Sequence, residues 1–169
     1  YFLEMNTRIQ VEHPVTEQVS GLDLVQWQIR IANGEKLPYS QEEITLTGHA
    51  IEARITAQDP ENDFAPSTGK ITRWEAPGFG GVRLDTHVYA GFSVSPFYDP
   101  MIAKLCVWGP DRATAIAGMA VALEETHLEG VGQNLPFLSA VMDPTRFQSG
   151  ELATSYIAVE FPDGFPGID

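Results

Sequence analysis

The sequence predicts an α+β fold in which short antiparallel strands are followed by packed helices. Between residues 69 and 107, short β-like runs are separated by glycine and proline, which is typical of strands joined by tight turns. After residue 110 the apolar side chains recur at helical spacing instead. Because strands and helices are separated along the chain rather than alternating, the pattern favours α+β over a doubly wound parallel sheet.

The N-terminal part of the chain predicts one extended segment and one helix. Residues 1–12 are predicted to form the extended segment. Residues 22–32 are predicted to form the helix, because their apolar side chains recur at helical spacing and the stop signal Asn33-Gly34 follows. The chain begins inside the extended segment, without an initiator methionine. Since a strand needs a neighbour to satisfy its backbone groups, we expect a fragment whose upstream neighbour is missing.

The middle of the chain predicts a series of strands. Residues 44–57 mix apolar and polar side chains as a half-buried strand does, and residues 59–63 form a loop by composition. The strands expected after this loop cover residues 70–74, 81–84, 87–89 and 101–108. We therefore expect an antiparallel sheet in this part of the chain.

The C-terminal part predicts a group of helices. Asp111 is a good N-cap for the first helix, Pro136 lies in the first turn of the second, and the last covers residues 151–159. The first two are expected to pack on the sheet. Residues 160–169 contain several prolines and glycines and are predicted to be a linker.

Charge and cysteine usage narrow the classes of partner and compartment. The net charge of −13 disfavours a nucleic acid or an anionic membrane surface, because both would repel the chain. No apolar run approaches the roughly 18 residues of a membrane helix. The single cysteine, Cys106, excludes an internal disulfide and fits a reducing compartment, either the cytoplasm or the mitochondrial matrix. Its apolar neighbours predict a buried structural thiol.

The segment from residue 4 to residue 12 carries the sharpest chemical signal. In an extended chain, side chains alternate between two faces, and one face here carries Glu4, Asn6, Arg8, Gln10 and Glu12. A half-buried strand with a solvated polar face would alternate in the same way. This face has no lysine and combines carboxylate and amide oxygens with the planar guanidinium of Arg8, which can donate two hydrogen bonds. This combination favours a binding site over a strand with a solvated polar face.

Each residue type on this face suits one step of a reaction. Glu4 and Asn6 offer oxygen ligands for Mg²⁺, which is commonly shared with substrate phosphates. Arg8 can donate two parallel hydrogen bonds to a planar oxyanion such as bicarbonate, and Glu12 could act as a base. Eight fully extended residues span roughly 26 Å, too far for one small site. The segment is therefore predicted to bend near Arg8.

These residues belong to a stretch that closely resembles a known family. Residues 2–17 read FLEMNTRIQVEHPVTE and are similar to the end of the ATP-grasp domain in biotin-dependent carboxylases. Other ATP-grasp ligases, such as carbamoyl phosphate synthetase, share the Glu-x-Asn-x-Arg pattern but not the continuation from Gln10 to His13. Further matches follow in order, as GHAIEAR at 48–54, DP at 59–60, PSTG at 66–69, GVR at 81–83 and YDPMIAKL at 98–105.

The resemblance covers nearly the whole chain and implies a domain division. Residues 1–42 would be the end of an ATP-grasp domain, residues 43–159 a biotin carboxylase C-terminal domain, and residues 160–169 a linker. The glycine-rich loop and the lysine with which the family holds ATP are missing from this sequence. We therefore expect the isolated chain to be inactive.

The resemblance also implies roles for the polar face. Glu4 matches the metal-binding glutamate of the family, and Asn6 lies at the neighbouring metal-side position. Glu12 matches the proposed general base that deprotonates bicarbonate for attack on the γ-phosphate of ATP, which yields carboxyphosphate. The implied bicarbonate pocket consists of Arg8, Gln10, the backbone of Val11, and Glu12.

Two arginines outside this segment gain a role from the resemblance. Arg54, considered alone, would more often be a surface or salt-bridged arginine, but it matches the catalytic arginine that holds the ureido oxygen of biotin and stabilises negative charge there. Arg83 matches a position near the homodimer contact of bacterial biotin carboxylases. The order of residues 77–81, PGFGG, departs from the usual bacterial pattern, which leaves the details of that contact open.

The implied cofactors are ATP, Mg²⁺ or Mn²⁺, and biotin. Biotin would be attached to a carrier domain outside this chain, because the sequence has no Met-Lys dipeptide. The implied partners are this biotin carboxyl carrier domain, a carboxyltransferase subunit and a second copy of the chain. Residues 156–165 resemble the exit from this domain in acyl-CoA carboxylase α subunits, propionyl-CoA carboxylase most of all. Two alternatives remain open: a non-catalytic dimerisation or docking module, and another ATP-grasp ligase.

Overall fold

The computed structural model describes residues 1–167 of the chain. The helices and strands are, in chain order, α1 (His13–Ser20), α2 (Leu24–Ala32), β1 (His49–Thr56), β2 (Gln58–Asp59), β3 (Ala65–Pro66), β4 (Gly69–Lys70), β5 (Arg73–Glu75), β6 (Val82–Thr86), β7 (Ser93–Val94), β8 (Met101–Gly109), α3 (Arg112–Glu124), β9 (His127–Glu129), α4 (Leu135–Met142), α5 (Thr145–Ser149) and α6 (Tyr156–Glu160). Short 3-10 helices cover Gln41–Glu43 and Pro60–Asn62.

A three-stranded antiparallel sheet with the order β1-β8-β6 lies at the centre of the fold. Its register places Lys104 of β8 opposite both Arg54 of β1 and Asp85 of β6. Smaller antiparallel pairs join β2 to β3, β4 to β7 and β5 to β9. The predicted antiparallel sheet is thus confirmed, with β1 inside residues 44–57 and β8 at the expected strand.

The apolar core lies between one face of this sheet and α3. Asp111 caps α3 by accepting a hydrogen bond from the Thr114 amide at 2.8 Å, as predicted. Gly118 brings the helix close to the sheet, because a Cβ at this position would lie 2.9 Å from Val107 Cγ1. Leu105 of β8 and Met119 of α3 are fully buried here. The second predicted helix, α4, follows Asn134 as expected and packs against α3.

The opposite face of the sheet is polar and is covered by α1. The side chains on this face are Glu52, Arg54, Arg83, Asp85, Lys104 and Cys106. α1 contacts both β1 and β8, with Pro14 buried beneath it. Because this layer of charged side chains lies between a sheet and a helix, its ionic groups have fixed neighbours. Two of them, Arg54 and Lys104, contact the N-terminal segment.

Cys106 is fully buried in this layer. Burial raises the pKa of its thiol to about 12, and the nearby Glu52 carboxylate acts in the same direction. A thiol with so high a pKa is not a thiolate nucleophile at neutral pH. The prediction of a buried structural cysteine is confirmed.

The N-terminal segment differs from its prediction. Residues 1–12 form no strand in the described chain, and residues 1–8 are exposed on both faces, because they have no neighbouring strand to pair with. The sequence pattern also missed α1. Pro14 lies in the first turn of this helix, where proline is favoured because its missing N–H is not needed.

Three further elements were predicted wrongly. The strand expected at residues 70–74 is divided into β4 and β5, which pair with different strands. Residues 87–89 form no strand; the chain turns there, and the strand β7 follows only after Gly91, whose φ is 102°. The helix predicted at 151–159 starts later than expected, as α6. An additional helix, α5, ends at Gly150, whose left-handed φ of 81° stops the helix before Glu151.

The end of the chain packs on the domain as far as it is described. Phe165 is only 8% exposed. Its ring centroid lies 5.6 Å from that of Phe137 on α4 and 6.2 Å from that of Phe161. Phe137 also contacts Phe64, with ring centroids 4.9 Å apart. Residues 168–169 of the predicted linker lie outside the described residues. Among residues 1–167, no helix has the length and apolar character that a membrane span requires.

Candidate active site

Two segments that are far apart in the sequence meet at an ion pair. Arg54 Nη2 on β1 donates a hydrogen bond to Glu12 Oε2 at 2.7 Å, and Arg54 Nε lies 3.3 Å from Glu52 Oε1. The side chains of Arg54 and Glu12 are 48% and 53% exposed, whereas that of Glu52 is 5% exposed. Exposed pairs typically contribute only about 0–1 kcal/mol of stability, so this pair leaves both groups accessible to a ligand at little cost to the fold.

The backbone around Arg54 is held by a buried asparagine. Asn134, which is 7% exposed, donates from Nδ2 to the Arg54 carbonyl at 3.0 Å and accepts at Oδ1 from the Thr56 amide at 2.8 Å. The pairing of β1 with β8 shifts register between Ile55 and Thr56, so ladder bonds alone do not fix this end of the strand. Asn134 and Glu52 therefore orient Arg54, and the sequence analysis assigned a role to neither.

The polar residues of the N-terminal segment border a cleft. The backbone bends at Arg8, which confirms the bend expected from the length of the segment. A cleft of about 620 Å³ lies between this segment and α2. Of the five polar residues predicted to share a face, the cleft is lined by Asn6, Arg8, Gln10 and Glu12, and Glu4 lies outside it.

The predicted alternation of faces holds only near the end of the segment. Ile9 and Val11 are half-buried, while Gln10 and Glu12 between and after them are exposed. The odd-numbered residues before them do not pack, since Met5 is 72% exposed. The polar groups are thus brought together by a bent chain along a cleft rather than by a regular strand.

The turn that carries Glu12 is held through two consecutive carbonyl groups. The Val11 carbonyl accepts a hydrogen bond from Lys104 Nζ at 3.0 Å. The Gln10 carbonyl accepts from the backbone N of His13 at 3.2 Å and lies 2.9 Å from His13 Nδ1. Lys104 had no predicted role, although a lysine in the middle of an apolar strand is the kind of signal that could have revealed one.

Arg83 lies in a network of charges on the same polar face. It donates to Asp85 at 2.8 and 2.9 Å and to Glu17, whose side chain is 8% exposed. The Arg83 guanidinium holds the pKa of the Asp85 carboxyl below its ordinary value, and Lys104 adds to this effect. The pKa of Arg83 is raised in turn, first by Asp85. Arg83 therefore has ionic partners within its own chain.

The oxygen donors fit part of a magnesium site. Residues 1–167 hold no cluster of three or more His, Cys, Asp and Glu side chains that could bind a metal ion unaided. Glu4 and Asn6 offer a carboxylate and an amide oxygen, of which Asn6 lines the cleft. Mg²⁺ is commonly held by one or two carboxylates together with substrate phosphates and water, so this incomplete set is compatible with a shared ion.

Comparisons with known proteins identify the family of the chain. Residues 52–159 match the family model described as the biotin carboxylase C-terminal domain. The chain belongs to the biotin carboxylase C-terminal domain family. Residues 1–40 match the ATP-binding domain of the carbamoyl-phosphate synthase L chain. The predicted fold class is confirmed: a biotin carboxylase C-terminal domain follows a remnant of an ATP-grasp domain.

Relatives within this group have different names and origins. The chain is 50% identical to the propionyl-CoA carboxylase alpha chain of Ruegeria pomeroyi over all of its own length and 28% of that protein. It is 52% identical to a biotin carboxylase of Nostoc over 93% of its length and 35% of that protein. The chain therefore spans about a third of the length of these curated relatives.

A solved biotin carboxylase domain has the same fold. The biotin carboxylase domain dimer of the Hydrogenobacter thermophilus 2-oxoglutarate carboxylase superimposes with a TM-score of 0.92 at 48% identity, over 94% of this chain and 35% of that one. That structure contains MgADP, ADP and bicarbonate. Biotin carboxylases use biotin, ATP and Mg²⁺, and act as ATP-dependent ligases.

Proposed function

We propose that this chain forms one wall of a biotin carboxylase active site, in which ATP, Mg²⁺ and bicarbonate are used to carboxylate biotin on a carrier domain. The observation that carries the proposal is the 2.7 Å contact between Glu12 and Arg54. Glu12 belongs to the segment assigned to bicarbonate, and Arg54 to the strand assigned to biotin. Their contact supports a single site in which the activated carboxyl group forms next to its acceptor.

On the bicarbonate side, some polar groups along the cleft bind the anion and one removes its proton. Arg8 and Gln10 orient the planar anion, with the Val11 amide as a further donor. Glu12 takes the proton of bicarbonate, and the resulting oxygen attacks the γ-phosphorus of ATP while the bond to ADP breaks. The products of this step are carboxyphosphate and ADP, and Glu12 is left protonated.

On the biotin side, Arg54 stabilises developing charge. Protonation of Glu12 removes one of the two negative partners of Arg54, so Nη2 is free to bind the ureido oxygen of biotin while Nε stays beside Glu52. Carboxyphosphate releases CO₂ and phosphate, the phosphate accepts the proton of the adjacent nitrogen, and this nitrogen bonds to the carbon of CO₂. A fixed cation stabilises the negative charge that develops on the ureido oxygen most when its position is already set. The contacts of Glu52 with the guanidinium and of Asn134 with the backbone of this residue supply such a fixed position.

The remaining assignments belong to the same proposal. Glu4 and Asn6 hold Mg²⁺ or Mn²⁺, which would neutralise charge on the phosphates of ATP. Residues 1–42 would be the end of the ATP-grasp domain, residues 43–159 the biotin carboxylase C-terminal domain, and residues 160–169 a linker that first packs on this domain through Phe165. The similarity of residues 156–165 to acyl-CoA carboxylase α subunits, propionyl-CoA carboxylase most of all, supports the first half-reaction of an acyl-CoA carboxylase, whose final acceptor is selected by a separate carboxyltransferase.

The proposed partners are a biotin carboxyl carrier domain, a carboxyltransferase subunit and a second copy of this chain. Arg83 would lie near the contact between copies, where its ion pairs with Glu17 and Asp85 keep it in place. The solved relative that carries bicarbonate is a domain dimer, which supports this assembly. The cytoplasm or the mitochondrial matrix would supply ATP and bicarbonate to such an enzyme.

The test is to separate the two half-reactions in a complete subunit that contains this chain. Arg54→Ala should retain bicarbonate-dependent ATP cleavage but lose carboxybiotin formation, since its partner is the ureido oxygen. Arg73→Ala is the matched control, because Arg73 is a similarly exposed arginine whose partners, Glu75 and Glu129, lie outside the site. Normal carboxybiotin formation by Arg54→Ala would overturn the assignment.

A further inference from the structure

Lys104 is a nearly buried cation in the middle of the central strand. Its side chain is 12% exposed, and its neighbours along β8, Ala103 and Leu105, belong to the apolar core. Placing an ammonium group there costs free energy unless oxygen atoms surround it. The two oxygens that do so are the Val11 carbonyl at 3.0 Å and Asp85 Oδ2 at 3.5 Å.

The contact with Val11 joins the sheet to the turn that carries Glu12. The Val11 carbonyl belongs to the peptide unit that ends in the amide of Glu12, so its hydrogen bond fixes the plane of that unit. The Gln10 carbonyl before it is held by His13. With both carbonyls bound, the Val11 amide and the Glu12 side chain have little freedom to rotate. A hydrogen bond to a carbonyl also polarises the N–H of the same peptide unit.

The other partner of Lys104 connects the turn to the far wall of the cleft. Asp85 binds Arg83 through both carboxylate oxygens, and Arg83 binds the buried Glu17. Glu17 Oε1 in turn accepts a hydrogen bond from the Leu24 amide, 2.6 Å away, in the first turn of α2. Because α2 lines the same cleft as the N-terminal segment, one chain of ion pairs and hydrogen bonds holds both walls.

We infer that Lys104 is a positioning residue for bicarbonate activation, acting through the Val11 carbonyl on the peptide unit that leads into Glu12 and so on the direction of the Glu12 side chain. This inference rests on the proposed function. It adds a residue on the central strand, outside the cleft lining, to the groups on which bicarbonate binding depends. Lys104 is too deeply placed to be needed for contact with ATP, so its loss should affect one substrate and not the other.

The experiment uses steady-state kinetics of bicarbonate-dependent ATP cleavage by the complete subunit. Lys104→Met keeps the apolar stem and removes the charged donor. Small misplacements of reacting groups cost up to roughly 100-fold, so we expect the KM for bicarbonate to rise about ten-fold or more and kcat to fall. The KM for ATP should stay within about two-fold of its original value. Lys104→Arg keeps a cationic donor and should restore much of the loss.

Lys70→Met is the matched control, because Lys70 is an exposed lysine on β4 and should leave both KM values unchanged. Unchanged bicarbonate kinetics in Lys104→Met, in a subunit that Glu12→Gln inactivates, would overturn the inference and leave the proposed function standing. An equal loss for bicarbonate and ATP, or none of the activity restored by Lys104→Arg, would mean a purely structural lysine. A complete subunit without bicarbonate-dependent ATP cleavage would overturn both.

Discussion

Arg54 and Glu12 are 42 residues apart in the sequence, yet Arg54 Nη2 donates to Glu12 Oε2 at 2.7 Å. This contact joins the remnant of one domain to the first strand of the next. It fits an enzyme in which bicarbonate is activated within reach of biotin. Because both side chains are about half exposed, the pair is better suited to exchanging partners during a reaction than to stabilising the fold.

The purified chain of 169 residues should have no biotin carboxylase activity by itself. It lacks the glycine-rich loop and the lysine with which the family holds ATP, so its half of the site has no nucleotide to act on. Bicarbonate-dependent ATP cleavage with free biotin should equal that of a blank without protein. The complete subunit is the positive control, and turnover by the short chain clearly above the blank would contradict the fragment interpretation.

Asn134→Ala should destabilise the domain by about 2–4 kcal/mol, because it leaves two backbone groups without their buried partner. These groups are the Thr56 amide and the Arg54 carbonyl. The measurement is the free energy of unfolding of this chain in urea. Gln148→Ala is the control, since Gln148 donates to the Asp143 carbonyl at an exposed position. Equal losses for the two variants would argue against Asn134 as the support of β1.

Asp85→Asn should show a pH-dependent loss of stability. The ordinary pKa of this carboxyl is 3.8, and Arg83 lowers it in the folded chain. A lowered folded pKa means that the stabilisation is present above the ordinary value and is lost as the pH falls through the lowered one. The difference in unfolding free energy from the original chain should be about 1–2 kcal/mol near pH 7 and should shrink below pH 4.

A control for this titration is Glu75→Gln. Glu75 pairs with Arg73 at the surface, where its side chain is 57% exposed, so water screens the interaction. Its variant should therefore lose less stability at neutral pH than Asp85→Asn. A difference for Asp85→Asn that stays constant from pH 7 to pH 3 would show that its ionised form is not what stabilises the fold.

Phe165→Ala should destabilise the chain by about 3–4 kcal/mol, as expected for truncating a buried phenylalanine. Phe165 lies against Phe137 and Phe161 and fixes the path of the chain end. Phe97→Ala is the control, because Phe97 is 87% exposed and should change stability by no more than about 0.5 kcal/mol. Thermal unfolding measures both, and a neutral Phe165→Ala would mean that the tail detaches in solution.

The sequence predicted those elements whose signals are local. The cap at Asp111 and the proline at Pro136 located α3 and α4, and the apolar run around Cys106 located β8. The bend at Arg8 followed from the length of an extended chain. These features depend on neighbouring residues, so a single sequence contains the information that determines them.

What could not be predicted depends on contacts between distant segments. Lys104 and Asn134 act on the site through partners 93 and 80 residues away. The position of Lys104 in an apolar strand was a local signal, but its partner is known only from the fold. The strand predicted for residues 1–12 was wrong because alternation of side chains is a local pattern, whereas a strand also needs a neighbouring strand to pair with. The family resemblance identified Glu12 and Arg54 as site residues, but only the fold brings them into contact.

The most direct test of the account is the rate of bicarbonate-dependent ATP cleavage by Glu12→Gln in the complete subunit. Glutamine keeps the shape of the side chain and removes the base, and loss of general-base catalysis typically costs about 10²–10⁴-fold. The account predicts a fall in kcat of this size with the KM for ATP nearly unchanged, while the control Glu75→Gln behaves as the original enzyme. Near-normal ATP cleavage by Glu12→Gln would contradict the account, because Glu12 would then only orient Arg54.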